Sequence, residues 1–380
     1  MMYEDFDENI LNLIKSEEEG QTYPLDICIK EAYGCYIVDE NNNKYIDLTS
    51  NLENQPLGYT INFPIQGNYF FESELFNSSA SKKLSDLLVQ FTGLKKAIFT
   101  SSKRQSYGIV ELLVNEYLET SIKSKVVSAT LSSNIKNFDF GENIVDLVPL
   151  NNETVFKSIF TKSVGAVIID IAQIIDDITI VNQEYLAFVR NLCNKNDAIL
   201  VLDASSLSPF RLGTDLFNYN ISIKPDILIL PQGLSQGIPF GGIVLSEKLN
   251  NIKLDNIKTS TSTLALSLIS KFLEDCKQED FQKIVSSNSR YFEKSLEEMN
   301  KNHISVIDFS SYGFLYTMTV DISAYDLVEY CLKNGVILES LNNKTIKLSP
   351  PYAIGKEEID RVIHIFDSAF DHLAKFDRLL

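Results

Sequence analysis

The chain has 380 residues, of which 44% are hydrophobic and 22% are charged, so its composition excludes a disordered chain and predicts two packed domains. Its formal charge is −17, from 34 basic and 51 acidic residues, and the sequence has no cluster of basic residues. This excess of acidic residues argues against nucleic acid or an anionic membrane as a partner. No apolar run reaches the roughly 18 residues that a membrane-spanning helix requires.

Cysteine and histidine usage indicates the compartment and limits the chemistry. The five scattered cysteines have no metal-ligand spacing, and an odd number fits a reducing cytosol better than a disulfide framework. The acidic segment 1–12 lacks the basic-then-apolar order of a secretion signal, so we expect a cytoplasmic protein. Only three histidines are present, all beyond residue 300, which argues against a histidine-rich metal site.

The N-terminal region predicts a strand, a turn and a second strand. Residues 29–38 favour β structure, residues 39–43 are acidic and asparagine-rich turn formers, and residues 44–48 resume an apolar run. The next segment, 49–77, is rich in Asn, Gly, Pro and Ser and is predicted to be a long loop.

A helical stripe of leucines and a phenylalanine over 84–91 opens the middle of the chain, and Gly93 is the expected end of that helix. A short strand over 97–100 and a second helical stripe over 109–113 follow. This order of elements begins an alternation of helices and strands.

The alternation continues with longer apolar runs. The runs 166–170 and 198–202 end at or next to an acidic residue, and a helical stripe over 185–193 lies between them. Residues 226–230 and 241–245 supply further strands. Continuous apolar strands joined by amphipathic helices predict an α/β fold whose parallel sheet is buried on both faces.

The pattern changes past residue 262, where a long helical stripe over 265–273 precedes a β-like run over 313–320 and further helices. This part predicts a smaller α/β lobe. We therefore expect a large domain at 51–262 and a small domain built from residues 1–50 and 263–380.

Polar residues follow three of the predicted strands. Asp170 and Gln173 come after one strand, Asp203 closes the next, and the loop 231–237 follows a third. Ligands bind beyond the carboxyl ends of the strands in an open parallel sheet, so these positions form a candidate site. The alternative for each acid is a helix cap or a turn residue.

Five segments together resemble class III, fold-type I aminotransferases, and acetylornithine and ornithine aminotransferases are the most similar members. The resemblance covers most of the chain in order, and it implies a fold-type I large domain with a mostly parallel seven-stranded sheet flanked by helices. It also implies an active site at a dimer interface and pyridoxal phosphate as the cofactor. The matching segments are GCYIVDENNNKYIDL (34–48), GAVIIDIAQ (165–173), LVLDASSLSPFRLG (200–213), KPDILILPQGLSQGIPFGGIV (224–244) and TIKLSPPY (345–352).

The resemblance fails at the cofactor lysine. Enzymes of this family hold pyridoxal phosphate as an imine on one lysine. The freed amine of that lysine then transfers a proton between Cα of the substrate and C4′ of the cofactor. That position aligns with Gln232, whose carboxamide cannot form an imine. Lys224 lies before the strand and Lys248 lies beyond the next one, so neither replaces it. The sequence therefore predicts no covalent cofactor, and leaves non-covalent pyridoxal phosphate or pyridoxamine phosphate open.

The phosphate loop of the family aligns with a segment that begins Ser101, Ser102, Lys103 and Arg104, where two long cations replace small residues. These cations suggest an anion site at a helix N-terminus, and the alternative is a solvated basic pair. The segment 127–134 has no aromatic residue to stack on the cofactor ring.

The threonine that reaches the cofactor phosphate across the family's dimer interface falls at Thr259 or Thr261. The family's arginine that binds the substrate carboxylate aligns with Lys347. A lysine cannot make the two parallel hydrogen bonds that a guanidinium donates to a carboxylate. Asp203 keeps the carboxylate that holds the pyridine nitrogen in the family. Arg211 is also retained, as an anion-binding residue or as part of a folding ion pair.

Three functional hypotheses follow from this combination of retained and replaced family residues. The first is a pseudoenzyme of amino-acid metabolism or of a biosynthetic cluster, acting as a scaffold or regulatory subunit. The second is a modified enzyme that binds pyridoxamine phosphate or another anion non-covalently. The third is an active transaminase whose lysine is misaligned. For all three we expect a homodimer, or a heterodimer with an active paralogue, and no metal.

Overall fold

The fold was analysed in a computed structural model, which describes residues 27–60, 68–73, 77–129, 138–174, 178–213, 215–220, 222–231, 233–249, 252, 259–276 and 279–376. Among these residues, helices alternate with strands over much of the chain. The helices are α1 (Ser79–Thr92), α2 (Lys103–Ser121), α3 (Glu153–Ile159), α4 (Gln183–Lys195), α5 (Thr263–Asp275), α6 (Glu279–Asn300), α7 (Ala324–Lys333) and α8 (Lys356–Phe376), with a 3-10 turn at Glu247–Leu249.

The strands belong to one large sheet and several small ones. They are β1 (Ile29–Tyr33), β2 (Tyr36–Asp39), β3 (Lys44–Asp47), β4 (Phe71–Glu72), β5 (Lys96–Thr100), β6 (Lys125–Ala129), β7 (Ile144–Leu147), β8 (Val164–Asp170), β9 (Ala172–Ile174), β10 (Ile178–Ile180), β11 (Ile199–Asp203), β12 (Ile227–Ile229), β13 (Gly241–Leu245), β14 (Thr261–Ser262), β15 (Val306–Tyr312), β16 (Leu315–Val320), β17 (Val336–Ile337), β18 (Glu339–Ser340) and β19 (Thr345–Leu348).

The large sheet has seven strands in the order β5-β13-β12-β11-β8-β6-β7. Strand β13 runs antiparallel to both of its neighbours, and the strands from β12 to β7 run parallel to one another. The predicted α/β fold with a mostly parallel sheet is therefore confirmed. The carboxyl ends of β8, β11 and β12 lie side by side.

Burial on both faces explains the continuous apolar strands. Alternate residues of β11 enter opposite cores: Leu200 and Leu202 pack on the side of α4, whereas Ile199 and Val201 pack on the side of α2. Helices α2 and α4 each contribute one apolar stripe to their side. Burying each such aliphatic side chain contributes roughly 1.5–3 kcal/mol, so the two cores fix the sheet between its helices.

Smaller sheets combine the two ends of the chain. The first has the order β1-β2-β3-β17, in which Ile46 of β3 is the register partner of Val336. The second has the order β15-β16-β19-β18. One sheet therefore contains strands from both terminal parts of the sequence, while the domain boundaries at 51 and 262 stay predictions.

The segment predicted as a loop over 49–77 contains two ordered features in its described part. Residues 50–53 form a left-handed turn, and Phe71–Glu72 pairs with Thr261–Ser262 as a two-stranded ribbon. Neither short element was predicted from the sequence, because contacts with distant residues help to hold both of them. Within the described residues, no helix combines the length and apolar character needed to cross a membrane.

Candidate active site

The candidate site lies where the parallel strands end. Asp203 of β11 is the register partner of Asp170 of β8 and of Ile229 of β12, so the two acids lie side by side at the carboxyl edge. The Gln173 side chain donates a hydrogen bond of 2.9 Å to the carbonyl of Ala129. The sheet thus brings Asp170 and Asp203 together as expected from the sequence.

The carboxylate of Asp203 is 2% exposed, and both of its oxygens accept hydrogen bonds from neighbouring side chains. The hydroxyl of Tyr107 donates to Oδ2 at 2.7 Å. The backbone N–H of Ser205 donates to Oδ1 at 2.8 Å, and the Ser205 hydroxyl donates to the same oxygen. Burial and the nearby Asp203 carboxylate raise the pKa of the Tyr107 hydroxyl above its usual range, so this group stays a donor.

An aromatic cluster covers Asp203. The Tyr107 ring is 4.9 Å from the ring of Phe138 between centroids, and Phe138 stacks on Phe140 at 5.4 Å. Nζ of Lys103 lies 5.3 Å from the centroid of the Tyr107 ring. Sequence reasoning missed these three aromatic residues, although Tyr107 directly follows the segment matched to the family's phosphate loop.

The N-terminus of α2 is closed by its own side chains. The backbone N–H and the hydroxyl of Ser101 both donate to Oε1 of Gln105 at 3.0 Å. Ser102 is the N-cap and accepts from the N–H of Gln105 at 3.2 Å. Lys103 is half-buried and Arg104 is exposed. The N–H and hydroxyl of Ser101 and the N–H of Gln105 thus have partners within the chain.

Thr259 and Thr261 lie elsewhere in the described part of the structure. They border a cavity of about 280 Å³ together with Glu72 and Lys96, and its lining includes neither Asp203 nor the N-cap of α2. Thr261 is 3% exposed. The structure of one chain therefore does not bring these threonines to Asp203.

Arg211 is fully buried and joins three parts of the chain. Its Nε donates to Glu53 at 3.0 Å, one terminal nitrogen donates to the carbonyl of Pro350 at 2.7 Å, and the other donates to Ser50 at 3.0 Å. Burial alone would raise the pKa of Glu53, but the charges of Arg211 and Lys347 more than offset it and hold the pKa below its usual range. This geometry favours the folding ion pair over anion binding.

Residues 50–53 have φ angles of 52°, 51°, 52° and 69°, a left-handed run that costs roughly 1–2 kcal/mol per residue. Side-chain hydrogen bonds hold it, since Asp47 accepts from the N–H of Asn51 at 3.0 Å and Ser50 donates to the carbonyl of Ser349 at 2.6 Å. The Arg211–Glu53 pair closes its C-terminal end. This turn was not predicted.

Lys347 is 6% exposed and pairs with Glu339 at 2.9 Å. Its charge also acts on Glu53, so it belongs to the same buried charged cluster as Arg211. Gly233 lies against this cluster, because a Cβ there would be 2.3 Å from the carbonyl oxygen of Glu53. The loop that follows β12 thus packs on the left-handed turn, while Gln232 itself lies outside the described residues.

Two lysines weighed as substitutes for the family's lysine are bound elsewhere. Nζ of Lys224 donates to the carbonyl of Thr92 at 2.6 Å, and Nζ of Lys248 pairs with Asp197 at 2.8 Å. Both lie at the opposite edge of the sheet from Asp203. Among the described residues, no group of three or more His, Cys, Asp or Glu side chains is arranged to hold a metal ion.

Comparison with known proteins defines the family. The sequence model of class III aminotransferases matches residues 131–370. Acetylornithine aminotransferase of Haemophilus ducreyi is 26% identical over 381 residues, with 91% of this chain and 94% of that protein covered. The equivalent enzyme of Listeria monocytogenes is 24% identical over 375 residues, with 92% and 95% covered. The chain therefore belongs to the class III aminotransferase family.

Solved structures agree on the fold. N-acetylornithine aminotransferase from Stenotrophomonas maltophilia superposes with a TM-score of 0.79 at 17% identity, covering 95% of this chain and 99% of that one. Ornithine delta-aminotransferase of Plasmodium falciparum superposes with a TM-score of 0.78 at 19% identity, covering 96% and 98%. The fold is that of the fold-type I aminotransferases.

Two of the groups that would hold the family's cofactor have partners within this chain. A pyridine nitrogen would have to share the Asp203 carboxylate with the hydroxyl of Tyr107 on Oδ2 and with Ser205 on Oδ1. A phosphate needs the donors at the start of α2, yet Gln105 accepts from Ser101 there. The Asp203 carboxylate and the Ser101 N–H therefore each have a partner within the chain that would compete with the cofactor.

Proposed function

We propose that this chain is an aminotransferase-like pseudoenzyme of amino-acid metabolism or of a biosynthetic cluster, acting as a regulatory or scaffold subunit. The hydrogen bond from Tyr107 to Asp203 carries this proposal, because it gives the carboxylate a partner within the chain where the family uses the pyridine nitrogen of the cofactor. Function in this superfamily depends on the site and not on the fold.

Two independent features support the proposal. Gln232 stands at the lysine position, and an amide has neither the nucleophilicity nor the basicity that imine formation and proton transfer require. The Ser101 N–H, which would face a phosphate, instead donates to Gln105. A single substitution would leave the rest of a cofactor site in place, whereas this proposal rests on three separate positions, Asp203, Gln232 and Ser101.

The test is incubation of the full chain with pyridoxal phosphate, followed by absorption spectroscopy, borohydride reduction and peptide mass mapping. We expect no imine absorption band and no pyridoxyl-labelled lysine. An authentic acetylornithine aminotransferase treated in parallel provides the positive control. A single labelled lysine in this chain, at stoichiometric yield, would refute the pseudoenzyme and favour an active transaminase.

The partner of this chain follows from the same proposal. In the family the active site is built from two chains, so we propose a homodimer, or a heterodimer with an active paralogue. Sedimentation of the purified chain distinguishes a self-dimer from a monomer. A chain that sediments only as a monomer and does not associate with an added paralogue would contradict both versions.

A further inference from the structure

We draw no further inference here: the strongest candidate, the exposed aromatic patch of Tyr69, Phe70 and Phe71 at the start of the β4–β14 ribbon, carries none because nothing in the described part of the structure shows what covers it.

Discussion

Tyr107 and Asp203 are 96 positions apart in the sequence, yet the hydroxyl of one donates to the carboxylate of the other at 2.7 Å. Asp203 is the last residue of β11, and Tyr107 lies in the second turn of α2. Helix α2 packs on the face of the sheet that carries Ile199 and Val201. Tyr107 is thus a hydrogen-bond partner within the chain for Asp203, the acid that is expected to bind the cofactor in the relatives.

Replacing Tyr107 by phenylalanine should destabilise the protein. The change leaves Oδ2 of a buried carboxylate short of a donor, which costs roughly 1–3 kcal/mol in free energy of unfolding. Urea unfolding of the variant measures the loss.

The matched control is Tyr185→Phe, because the Tyr185 hydroxyl is buried and has no hydrogen-bond partner among the described residues. Its removal should leave the free energy of unfolding unchanged or raise it, because no hydrogen bond is lost and a buried polar group without a partner is removed. Equal losses in the two variants would mean that the bond to Asp203 contributes nothing.

The buried pair of Glu53 and Arg211 should make stability depend on pH. The pKa of Glu53 is lower in the folded chain than in the unfolded chain, where it is about 4.3. Its contribution is therefore complete above the unfolded pKa and is lost as the pH falls through the folded pKa.

Glu53→Gln tests this relation, since it leaves the Arg211 charge buried without its partner, at a cost of about 3–5 kcal/mol near neutral pH. The difference from wild type should shrink as the pH is lowered below about 4.3, the unfolded pKa. Urea unfolding at a series of pH values measures it, with Glu116→Gln on an exposed site as the control. A difference that stays constant down to the acid limit would contradict the ion-pair assignment.

Gly233 should not tolerate a side chain. Its φ is +77°, and a Cβ would lie 2.3 Å from the carbonyl oxygen of Glu53. Gly233→Ala should therefore cost about 2 kcal/mol or more, from left-handed strain and displacement of the turn.

Gly108→Ala is the paired control, because the Cβ there meets no atom within 4 Å and the position is inside α2. We expect it to stabilise the protein by about 0.5–1 kcal/mol, the usual gain on replacing glycine in a helix. Thermal unfolding of both variants gives opposite signs if the loop after β12 packs on the left-handed turn.

Gln232→Lys alone should not produce an active transaminase. A new amine supplies one part of the chemistry, but the pyridine contact at Asp203 stays occupied by Tyr107 and the phosphate donor at Ser101 stays bound to Gln105. Absorption spectra with pyridoxal phosphate and an amino-group transfer assay measure the outcome. A coloured and active variant would mean that the site had lost only its lysine.

Apolar runs and their closing acids predicted the sheet and the neighbourhood of Asp170 and Asp203, because burial of a strand on both faces leaves a direct pattern in the sequence. The hydrogen bond of Tyr107 was not predicted, and the folding ion pair of Arg211 was one of two alternatives, with no partner named. These contacts join residues 96 and 158 positions apart, and no local period reports such a distance. The left-handed turn was not predicted either, since Arg211 and Ser349 contribute to it from distant parts of the sequence besides the nearby Asp47.

The pairing of Ile46 with Val336 has a consequence for biosynthesis. The first sheet cannot be completed until most of the chain has left the ribosome. Until then the edge of β3 that pairs with β17 has no partner strand. Contacts of such sequence separation slow folding, and an open edge during translation favours association with other chains. Cells that make this protein quickly should therefore depend on chaperones to protect these amino-terminal strands until Val336 and Ile337 have left the ribosome.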